Sequence, residues 1–458
     1  MIPRSCFPAL LGALLLGTDA CAQDGALDLS FDPGIGASWS VIDIVIQPDE
    51  RIMLGGWFST FNGIGNGFLV RLDQDGSVDP LFTTGQGPNS FVTTLVQRPD
   101  GRTLIGGNFT QYDGVACPFA AQLLPGGGLE TVMGGPSILF VEAMRLLPDG
   151  RALVVGLISP GFITLLEANG APDPSFQPGA GANELLRDAQ VLPNGQFLIA
   201  GMFWSYDGVP IQGVARINAD GSLDGTFGGS GGPDGPVDRV VLQPDGRILL
   251  SGGFSTYAGV QVNGLCRILP DGALDVTFSS GITSGGVVDM AVQPDGRILI
   301  GGTFTQYAGV ARNRIARLEP DGSLDLGFDP GAGANQEVNA IALQPDGRVV
   351  IGGSFTTYNG VPRARVARLL NTLATSTSEP DEQLVQAQVV PGAVMVPSGW
   401  DGPARLVVMD HAGRVVVARR EVVPPGGAAI ELGELAPGGY LVRLELTGRR
   451  MVGRTFIH

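Results

Sequence analysis

Lysine is absent from this chain of 458 residues, so all 28 basic residues are arginines. Without lysine, Schiff-base chemistry, a pyridoxal phosphate enzyme and a phosphate loop built on its lysine are excluded. Histidine is nearly as scarce, with His411 and His458 as the two copies, both near the C-terminus. The preceding residues therefore contain no histidine-based catalytic triad and no histidine-ligated metal.

Cysteine and positive charge are also in short supply. Cys6 and Cys21 lie near the N-terminus, and Cys117 and Cys266 stand far apart in the rest of the chain. We expect no disulfide between the latter two, and they are too few for a zinc site. The 44 acidic residues give a net charge of −16, which disfavours nucleic-acid binding.

Turn-forming residues, in contrast, are abundant. The chain has 71 glycines and 33 prolines, and 44% of its residues are hydrophobic. This composition allows a substantial core and favours short strands joined by tight turns over long helices. It predicts an all-β protein.

The first 22 residues have the pattern of an export signal. Arg4 precedes an apolar run over 9–17, and Ala20-Cys21-Ala22 forms a small-x-small cleavage site before Gln23. The apolar run is too short to cross a bilayer, so we expect no transmembrane segment. Alternatives are a buried N-terminal strand and a lipidated Cys21. The pattern predicts cleavage between Ala22 and Gln23 and a mature protein that works outside the cytoplasm.

A seven-fold internal repeat fills most of the remaining chain. A Pro-Asp/Asn-Gly turn, with Glu50 in place of Gly in the first copy, recurs every 45 to 51 residues. Its prolines are Pro48, Pro99, Pro148, Pro193, Pro244, Pro294 and Pro345. The turn joins two apolar runs of strand length, and a Gly-Gly-x-Phe-x-x-Tyr segment, a third run and a Leu-Asp-x-x-Phe element follow.

The pattern of each unit predicts four short strands, which is typical of a propeller blade. We predict a seven-bladed β-propeller over residues 23–370, with an open β-solenoid as the alternative. The Leu-Asp-x-x-Phe element first occurs at Leu27–Phe31 and is missing after Leu370, so the N-terminal strand is expected to complete the last blade. The third repeat, about 134–177, lacks the Gly-Gly-x-Phe-x-x-Tyr segment. It is either a decayed blade or a functional notch.

These units resemble the delta-60 repeats of exported bacterial proteins. The matching stretches are Gln293–Arg297, Gly301–Gly309 and Asp321–Phe328. The resemblance implies a propeller and no particular activity.

A change of composition marks the C-terminal part. Residues 371–380 have the composition of a polar linker, and residues 381–458 carry eight acidic residues and eight arginines. Five or six predicted strands suit a small β-sandwich. The segment resembles the C-terminal sorting domain of the type IX secretion system of Bacteroidota, although the usual opening Pro-Asn-Pro is missing. The matching residues are Asp410, Gly413, Arg414, Leu435, Gly438, Tyr440 and Arg454. The resemblance implies recognition by the type IX secretion machinery in the periplasm and delivery across the outer membrane to the cell surface or the medium. An ordinary accessory sandwich is the alternative.

Two sets of repeated side chains are candidate ligand-binding residues. The first stands five or six positions before each anchoring proline and comprises Asp43, Thr94, Glu142, Asp188, Asp238, Asp289 and Asn339. We expect it at the mouth of the central channel, either as a solvated acidic rim or as a weak site for a cation or polyol. The second is aromatic: Phe61, Tyr112, Tyr206, Tyr257, Tyr307 and Tyr358. These rings are either wedges between blades or a platform for carbohydrate or peptide.

Repeated charges also suggest structural pairs. Arg71, Arg216, Arg267, Arg317 and Arg368 are expected to pair with the aspartates of Leu-Asp-x-x-Phe, such as Asp224 and Asp325. Exchanging the charges of one such pair should then restore most of the stability lost in single variants.

No cofactor is predicted apart from one candidate calcium loop. Asp73, Asp75 and Asp79 alternate as calcium ligands do, but the same carboxylates also suit a tight turn.

The sequence therefore favours an exported, non-enzymatic binding or scaffold module for an extracellular glycan or protein. The alternative is a carboxylate-based enzyme on extracellular glycan, with Glu142 and Asp188 as acid and base.

Overall fold

The computed structural model describes residues 23–371, except 66, 136, 229 and 230, and eight strands between 385 and 457. The predicted signal peptide with Ala22, most of the predicted linker, and Gly413, Arg414 and Leu435 lie outside the described residues. The chain divides into two units, 1–373 and 374–458. The described residues contain strands and no helix, which confirms the prediction of an all-β protein.

The first unit contains seven antiparallel sheets built on one plan of three long strands. The first strands are Val41–Ile46, Val92–Gln97, Ile138–Leu146, Leu186–Val191, Val237–Leu242, Val287–Val292 and Val338–Leu343. The second strands are Ile52–Gly56, Thr103–Gly107, Ala152–Ile158, Phe197–Gly201, Ile248–Gly252, Ile298–Gly302 and Val349–Gly353. The third strands are Leu69–Leu72, Ala120–Leu123, Ile163–Leu166, Val214–Ile217, Leu265–Ile268, Ile315–Leu318 and Val366–Leu369.

A small two-stranded hairpin links the second and third strands in six of these sheets. The six hairpins are Thr60–Phe61 with Ile64–Gly65, Gln111–Tyr112 with Val115–Ala116, Ser205–Tyr206 with Val209–Pro210, Thr256–Tyr257 with Val260–Gln261, Gln306–Tyr307 with Val310–Ala311, and Thr357–Tyr358 with Val361–Pro362. In the third sheet, residues 159–162 alone make this connection. The third repeat therefore lacks a hairpin that its neighbours have.

The sheets form a closed ring. Each first strand lies beside the first strand of the next sheet, and Val338–Leu343 lies beside Val41–Ile46. The Gly-Gly pair at the end of the second strand permits this packing. A Cβ on Gly352 would come within 2.6 Å of the Val41 side chain in the next sheet, and one on Gly353 within 2.0 Å of a backbone oxygen in its own sheet. The second glycine of the pair recurs as Gly156, Gly201 and Gly252, whereas the third, fourth and fifth sheets accommodate Val155, Ala200 and Ser251 at the place of Gly352.

The N-terminal element Leu27–Phe31 pairs with the seventh sheet, as predicted, although through a single bridge and not as a strand. Leu27 forms an antiparallel bridge with Leu369. The Gly25 N–H donates to the Leu370 carbonyl at 2.8 Å, and the Asp28 N–H donates to the Arg368 carbonyl at 2.8 Å. The ring is therefore closed by hydrogen bonds between the two ends of the unit.

The Leu-Asp-x-x-Phe elements differ from the prediction of a fourth strand. In six sheets the element makes a single bridge to the third strand, as between Ile268 and Leu274, and then turns away. The reason is the aspartate, since Asp275 Oδ1 accepts the Thr277 N–H at 3.0 Å and so closes a turn. The second sheet has Glu130 at this place, and there alone among the described sheets the element is a strand, Leu129–Val132.

The second unit holds two sheets. Five strands pair in the order Val385–Gln386, Arg449–Ile457, Gly438–Leu446, Gly402–Asp410 and Val415–Val423. Three more, Gln388–Val390, Ala393–Val396 and Ala428–Glu431, form the other sheet. Asp410, Gly438, Tyr440 and Arg454 of the predicted sorting motif lie on strands of the larger sheet. The β-sandwich itself stays a prediction.

Candidate functional site on the loop face

The acidic residues predicted at the channel occupy two neighbouring positions of the first strand. Asp43, Asp188 and Asp289 stand five residues before the anchoring proline, whereas Glu142 and Asp238 stand six before it. A β-bulge falls at this point of the strand, as the pairing of Val41 with Gly56 and of Asp43 with Gly55 shows. Side chains five and six residues before the proline therefore have different surroundings.

The three aspartates cap backbone N–H groups in the channel. Each first strand has an N–H four residues before its proline, and four side chains accept from all seven. Asp43 accepts the N–H of Ile44 at 2.8 Å and that of Leu95 in the next sheet at 2.7 Å. In the same way Asp188 accepts from Ala189 at 2.8 Å and Val240 at 3.0 Å, and Asp289 accepts from Met290 and from Ile341 at 2.7 Å. The Thr94 hydroxyl accepts from Met144 at 3.3 Å. One carboxylate thus serves two adjacent sheets, which accounts for its recurrence in some sheets only.

Two arginines share the channel with these carboxylates. Arg145 donates to the Asp188 carboxylate, and Arg239 Nε lies 3.6 Å from Asp289 Oδ1. The cavity between them has a volume of about 140 Å³ and is also lined by Asp43 and Glu142. Burial raises the pKa of Asp43 to about 6, against the opposing effects of the Leu95 N–H and Arg239. The channel therefore balances its own charge in part.

This arrangement weakens the enzymatic alternative. The Asp188 side chain is 1% exposed and bound by Arg145 and two N–H groups, so it has no free oxygen with which to take a proton from a substrate. Glu142 is half-buried, and burial raises its pKa. No described residue donates a hydrogen bond to it.

The repeated tyrosines are packing residues. Tyr112, Tyr206, Tyr257, Tyr307 and Tyr358 are fully buried, as is Phe61. Each tyrosine hydroxyl donates to the carbonyl of a turn glycine, and the acceptors are Gly127, Gly221, Gly272, Gly322 and Gly25 at 2.5 to 2.7 Å. Rings in this position cannot contact a ligand outside the ring of sheets, so the structure agrees with the wedge interpretation and not with the platform.

The repeated arginines pair with the predicted aspartates. The pairs Arg71–Asp79, Arg216–Asp224, Arg267–Asp275, Arg317–Asp325 and Arg368–Asp28 have Nε–Oδ2 distances of 2.6 to 2.7 Å. Each guanidinium also lies 4.7 to 5.2 Å from the ring of the phenylalanine in its Leu-Asp-x-x-Phe element. Arg71 further donates to the Pro125 carbonyl of the following sheet. These contacts of one arginine with its aspartate, its phenylalanine and a carbonyl, which we call the arginine clamp, therefore also join neighbouring sheets.

The candidate calcium loop uses its carboxylates internally. Asp73 accepts from Arg51 Nε at 3.1 Å, Asp75 from Ser77 and Asp79 from Arg71. Among the residues described, no cluster of three or more His, Cys, Asp or Glu side chains could hold a metal ion. Cys117 and Cys266 are separate, buried thiols.

The loop face also carries three exposed tryptophans that the sequence analysis missed. The loop face is the side of the ring where the first strands begin and the hairpins lie. Trp39, Trp57 and Trp204 are 59%, 45% and 58% exposed. The repeat register could have revealed them, because the residues equivalent to Trp204 are Ser59, Thr110, Ser255, Thr305 and Thr356. A large aromatic residue at a place that is otherwise a small hydroxyl residue is a departure from the repeat.

Four further exposed apolar residues extend this surface across the first four sheets. They are Phe91, Leu139, Leu157 and Met202, and with the three tryptophans they form what we call the apolar arc. The centroids of the Trp57 and Phe91 rings are 5.7 Å apart. The backbone N–H of Trp57 donates to the carbonyl of Ser40, the residue next to Trp39. In the last three sheets the residues equivalent to Trp57 are Gly253, Thr303 and Ser354. The seven residues of the arc are therefore confined to the first four sheets, whereas smaller exposed apolar residues of the hairpins, such as Val260 and Val310, also occur on the fifth and sixth sheets.

The sheet without a hairpin lies in the middle of the arc. Leu139 and Leu157 belong to this third sheet, with Phe91 on the sheet before it and Met202 and Trp204 on the sheet after it. Glu142 follows Leu139 along the same strand toward the channel. Arg187 and Asp238, at the same level of the next two sheets, form a salt bridge of 3.3 Å. An apolar surface thus leads over the third sheet to a charged channel mouth.

A closed ring of antiparallel sheets whose first strands surround a channel defines a β-propeller. Six segments of the chain match the family described as "Domain of unknown function (DUF5122) beta-propeller": 47–82, 98–131, 192–227, 243–278, 293–328 and 344–372. The six segments fall on six of the seven repeats. The unmatched stretch 132–191 contains the third repeat.

Solved structures similar to this chain have low sequence identity. The extracellular domain of a hybrid two-component system from Bacteroides thetaiotaomicron is 12% identical, with 94% of this chain and 59% of that chain covered and a TM-score of 0.49. The type IX secretion component PorZ of Porphyromonas gingivalis is 15% identical, with 91% and 59% covered and a TM-score of 0.44. Virginiamycin B lyase from Staphylococcus aureus is 10% identical, with 73% and 95% covered and a TM-score of 0.47.

The chain spans 59% of the length of each of the first two structures. A search of curated proteins gives no match. In the part of the chain that the structure describes, no helix has the length and apolar character needed to cross a membrane.

Proposed function

We propose that this protein is an exported, non-enzymatic β-propeller that binds an extracellular ligand through the apolar arc of its loop face. The observation that carries the proposal is the exposure of Trp39, Trp57 and Trp204 on one face, at repeat positions that are small or polar in most other sheets. Exposed apolar patches on soluble proteins mark interaction sites, and tryptophan is prominent among binding hot spots.

The binding proposal can be tested on the full mature chain from Gln23. The variant Trp39→Ser, Trp57→Asn, Trp204→Thr takes its residues from equivalent places in other repeats. Because the three rings are exposed, the midpoint of thermal unfolding should stay close to that of the wild type. Ligands selected on the wild-type chain from a peptide display library or a glycan array should lose binding to the variant.

A matched control removes three exposed apolar residues elsewhere. Leu29, Val276 and Leu326 occupy Leu-Asp-x-x-Phe elements and are 70% or more exposed. The variant Leu29→Ser, Val276→Thr, Leu326→Thr should keep every selected ligand. Equal binding by the wild type and the tryptophan variant would contradict the proposal.

We further propose that the C-terminal unit delivers the protein across the outer membrane through the type IX secretion machinery. The support is the signal-peptide pattern of residues 1–22 together with the motif residues Asp410, Gly438, Tyr440 and Arg454. In the host bacterium, deletion of 381–458 should leave the protein in the periplasm. The tryptophan variant, which keeps this unit, should still reach the surface or the medium.

A further inference from the structure

We propose that the apolar arc and Glu142 together bind an extended protein segment in which a basic side chain stands beside apolar ones. This inference deepens the proposed function and rests on it. It names the class of ligand, which the exposure of the tryptophans alone does not.

The first argument is the chemistry of the surface. Trp57, Phe91, Met202 and the nearby Arg187 belong to the residue types that are enriched at protein–protein interfaces. Leu139 and Leu157, at the middle of the arc, are 51% and 44% exposed. Aliphatic side chains offer no flat ring on which a sugar could stack, but they do bury the apolar side chains of a peptide.

The second argument is the missing hairpin. The neighbouring sheets raise the hairpins Gln111–Tyr112 with Val115–Ala116 and Ser205–Tyr206 with Val209–Pro210 on this face. The third sheet connects its strands through 159–162 instead. An extended chain can therefore approach Leu139 and Leu157 between the two hairpins without meeting a third.

The third argument is the state of Glu142. Its carboxylate is half-buried and lines the channel cavity, yet it takes no hydrogen bond from any residue that the structure describes. Arg187 and Arg239 attract the Glu142 carboxylate through their charge, but their direct ion pairs are with Asp238 at 3.3 Å and Asp289 at 3.6 Å. A half-buried carboxylate that accepts no hydrogen bond is costly, and a guanidinium or ammonium group bound directly to it would relieve part of that cost.

The charge of the surroundings favours the same ligand. Five carboxylates and three guanidiniums lie at the mouth and in the channel, so negative charges exceed positive ones by two. The carboxylates are those of Asp43, Glu142, Asp188, Asp238 and Asp289, and the guanidiniums are those of Arg145, Arg187 and Arg239. The net charge of −16 belongs to residues before 381, because the residues from there on are neutral. A basic segment is therefore attracted to the propeller over long distance.

The test is a selection from a random linear peptide library on the immobilised full mature chain, followed by affinity measurements on synthetic peptides. Selected peptides should contain arginine or lysine next to apolar residues. Trp57→Asn should weaken their binding by about 30-fold, as for a binding hot spot. Glu142→Gln should weaken it by about tenfold, and added salt should weaken binding to the wild type more than to this variant.

Glu337→Gln is the matched control for the charge. Glu337 is exposed on the same loop face but belongs to the seventh sheet, so it lies near the Trp39 end of the arc and away from Glu142 in the third sheet. Its substitution should leave the peptide affinity unchanged. Equal losses in Glu142→Gln and Glu337→Gln would mean that net charge, and not a contact at the channel mouth, determines the affinity, and would overturn the assignment of Glu142.

The same experiment separates this inference from the proposed function. Glycans that bind in a tryptophan-dependent way, with no basic peptide selected, would overturn the inference and leave the binding function standing. Selected peptides that are acidic, or whose binding is unchanged in Trp57→Asn, would also overturn it. If neither peptides nor glycans show tryptophan-dependent binding, both proposals fail.

Discussion

Asp43, Asp188 and Asp289 illustrate how a structural requirement can look like a binding site in a sequence. Each of these carboxylates has two oxygens and accepts N–H groups from two adjacent sheets. Three aspartates and Thr94 therefore suffice for all seven strands. Their irregular recurrence, in the first, fourth and sixth sheets, follows from this sharing. An acidic rim that binds a cation is not needed to explain it.

The charge of Asp43 should make the stability depend on pH. Its pKa of about 6 in the fold lies above the ordinary value, so the folded state holds the proton more strongly than the unfolded chain does. The contribution to stability is complete below about pH 4 and is lost as the pH rises through 6. Between pH 4 and 7, the free energy of unfolding of the wild type should fall relative to that of Asp43→Asn by about 2 kcal/mol.

Denaturant titrations of both proteins at several pH values measure this difference. The absolute curves will also contain the carboxylates whose pKa lies below its ordinary value, whose effect has the opposite sign. A difference between the two proteins that does not change with pH would show that Asp43 titrates normally.

The Arg267–Asp275 pair is more than an exchangeable pair of charges. Arg267 also donates to the Pro320 carbonyl of the next sheet and lies 5.0 Å from the Phe278 ring, while Asp275 closes the turn with Thr277. Contrary to the expectation from the sequence, the exchange Arg267→Asp, Asp275→Arg should not restore stability, because neither new side chain can repeat these contacts.

The single variant Arg267→Met should lower the free energy of unfolding by about 3 kcal/mol, because the buried Asp275 loses Arg267 and keeps only the more exposed Arg247, whose Nε lies 3.3 Å away. Arg102→Gln should have a smaller effect, because Arg102 pairs with Asp100 and with Glu130 at the surface, where water screens the charges. Urea unfolding of the three proteins checks both statements. Recovery of most of the stability in the exchanged protein would contradict the clamp described above.

The N-terminal element Leu27–Phe31 has the same contacts as the Leu-Asp-x-x-Phe elements of the other sheets. Tyr358 donates to Gly25, Arg368 pairs with Asp28 and its guanidinium lies 4.9 Å from the Phe31 ring. The same set holds in the sixth sheet for Tyr307, Arg317 and Phe328. The two ends of the ring are thus joined by the same kinds of contact that hold the sixth sheet together.

This equivalence predicts equal costs for two distant substitutions. Phe31 and Phe328 are both fully buried. Phe31→Ala and Phe328→Ala should each lower the free energy of unfolding by about 3 to 5 kcal/mol, because each leaves a cavity beside an arginine clamp. Thermal or urea unfolding measures both. A much smaller effect of Phe31→Ala would mean that the ring is open in solution.

The Leu-Asp-x-x-Phe element shows that a repeated sequence pattern can predict the wrong local structure. The regular copies contain the residues expected for a strand end, yet Asp28 or Asp275 turns the chain after one bridge. The copy that has Glu130 in place of the aspartate continues as a strand, Leu129–Val132. A carboxylate one methylene longer no longer closes the turn, and this small difference determines the local structure.

The net charge acts on the molecule as a whole. With −16 charges and a pI near 4.5, the folded chain repels itself at neutral pH. Raising the salt concentration from about 0.01 to 0.15 M at pH 7 should raise the midpoint of thermal unfolding, since the buried arginine pairs are screened much less than the exposed charges. Close to the pI the same change should have little effect. A fall of the midpoint at pH 7 would contradict this reasoning.

Much of this protein is determined by local, repeated patterns. The Pro-Asp-Gly turns, the strand-length runs and the position of Leu27–Phe31 before the first repeat predict sheets, their order and the closing strand. Four of the Arg–Asp pairs are predictable for the same reason, because their residues are eight positions apart in the repeat, and the fifth, Arg368–Asp28, follows from the position of Leu27–Phe31.

Only the tertiary structure decided which side chains remain available to a ligand. The tyrosines and the aspartates have the same prominence in the sequence, but packing of adjacent sheets buries the former and N–H groups of the next sheet occupy the latter. Trp57 and Phe91 come from different repeats and meet through the ring. Burial depends on contacts between segments about 50 residues apart, and a pattern within one repeat does not contain that information.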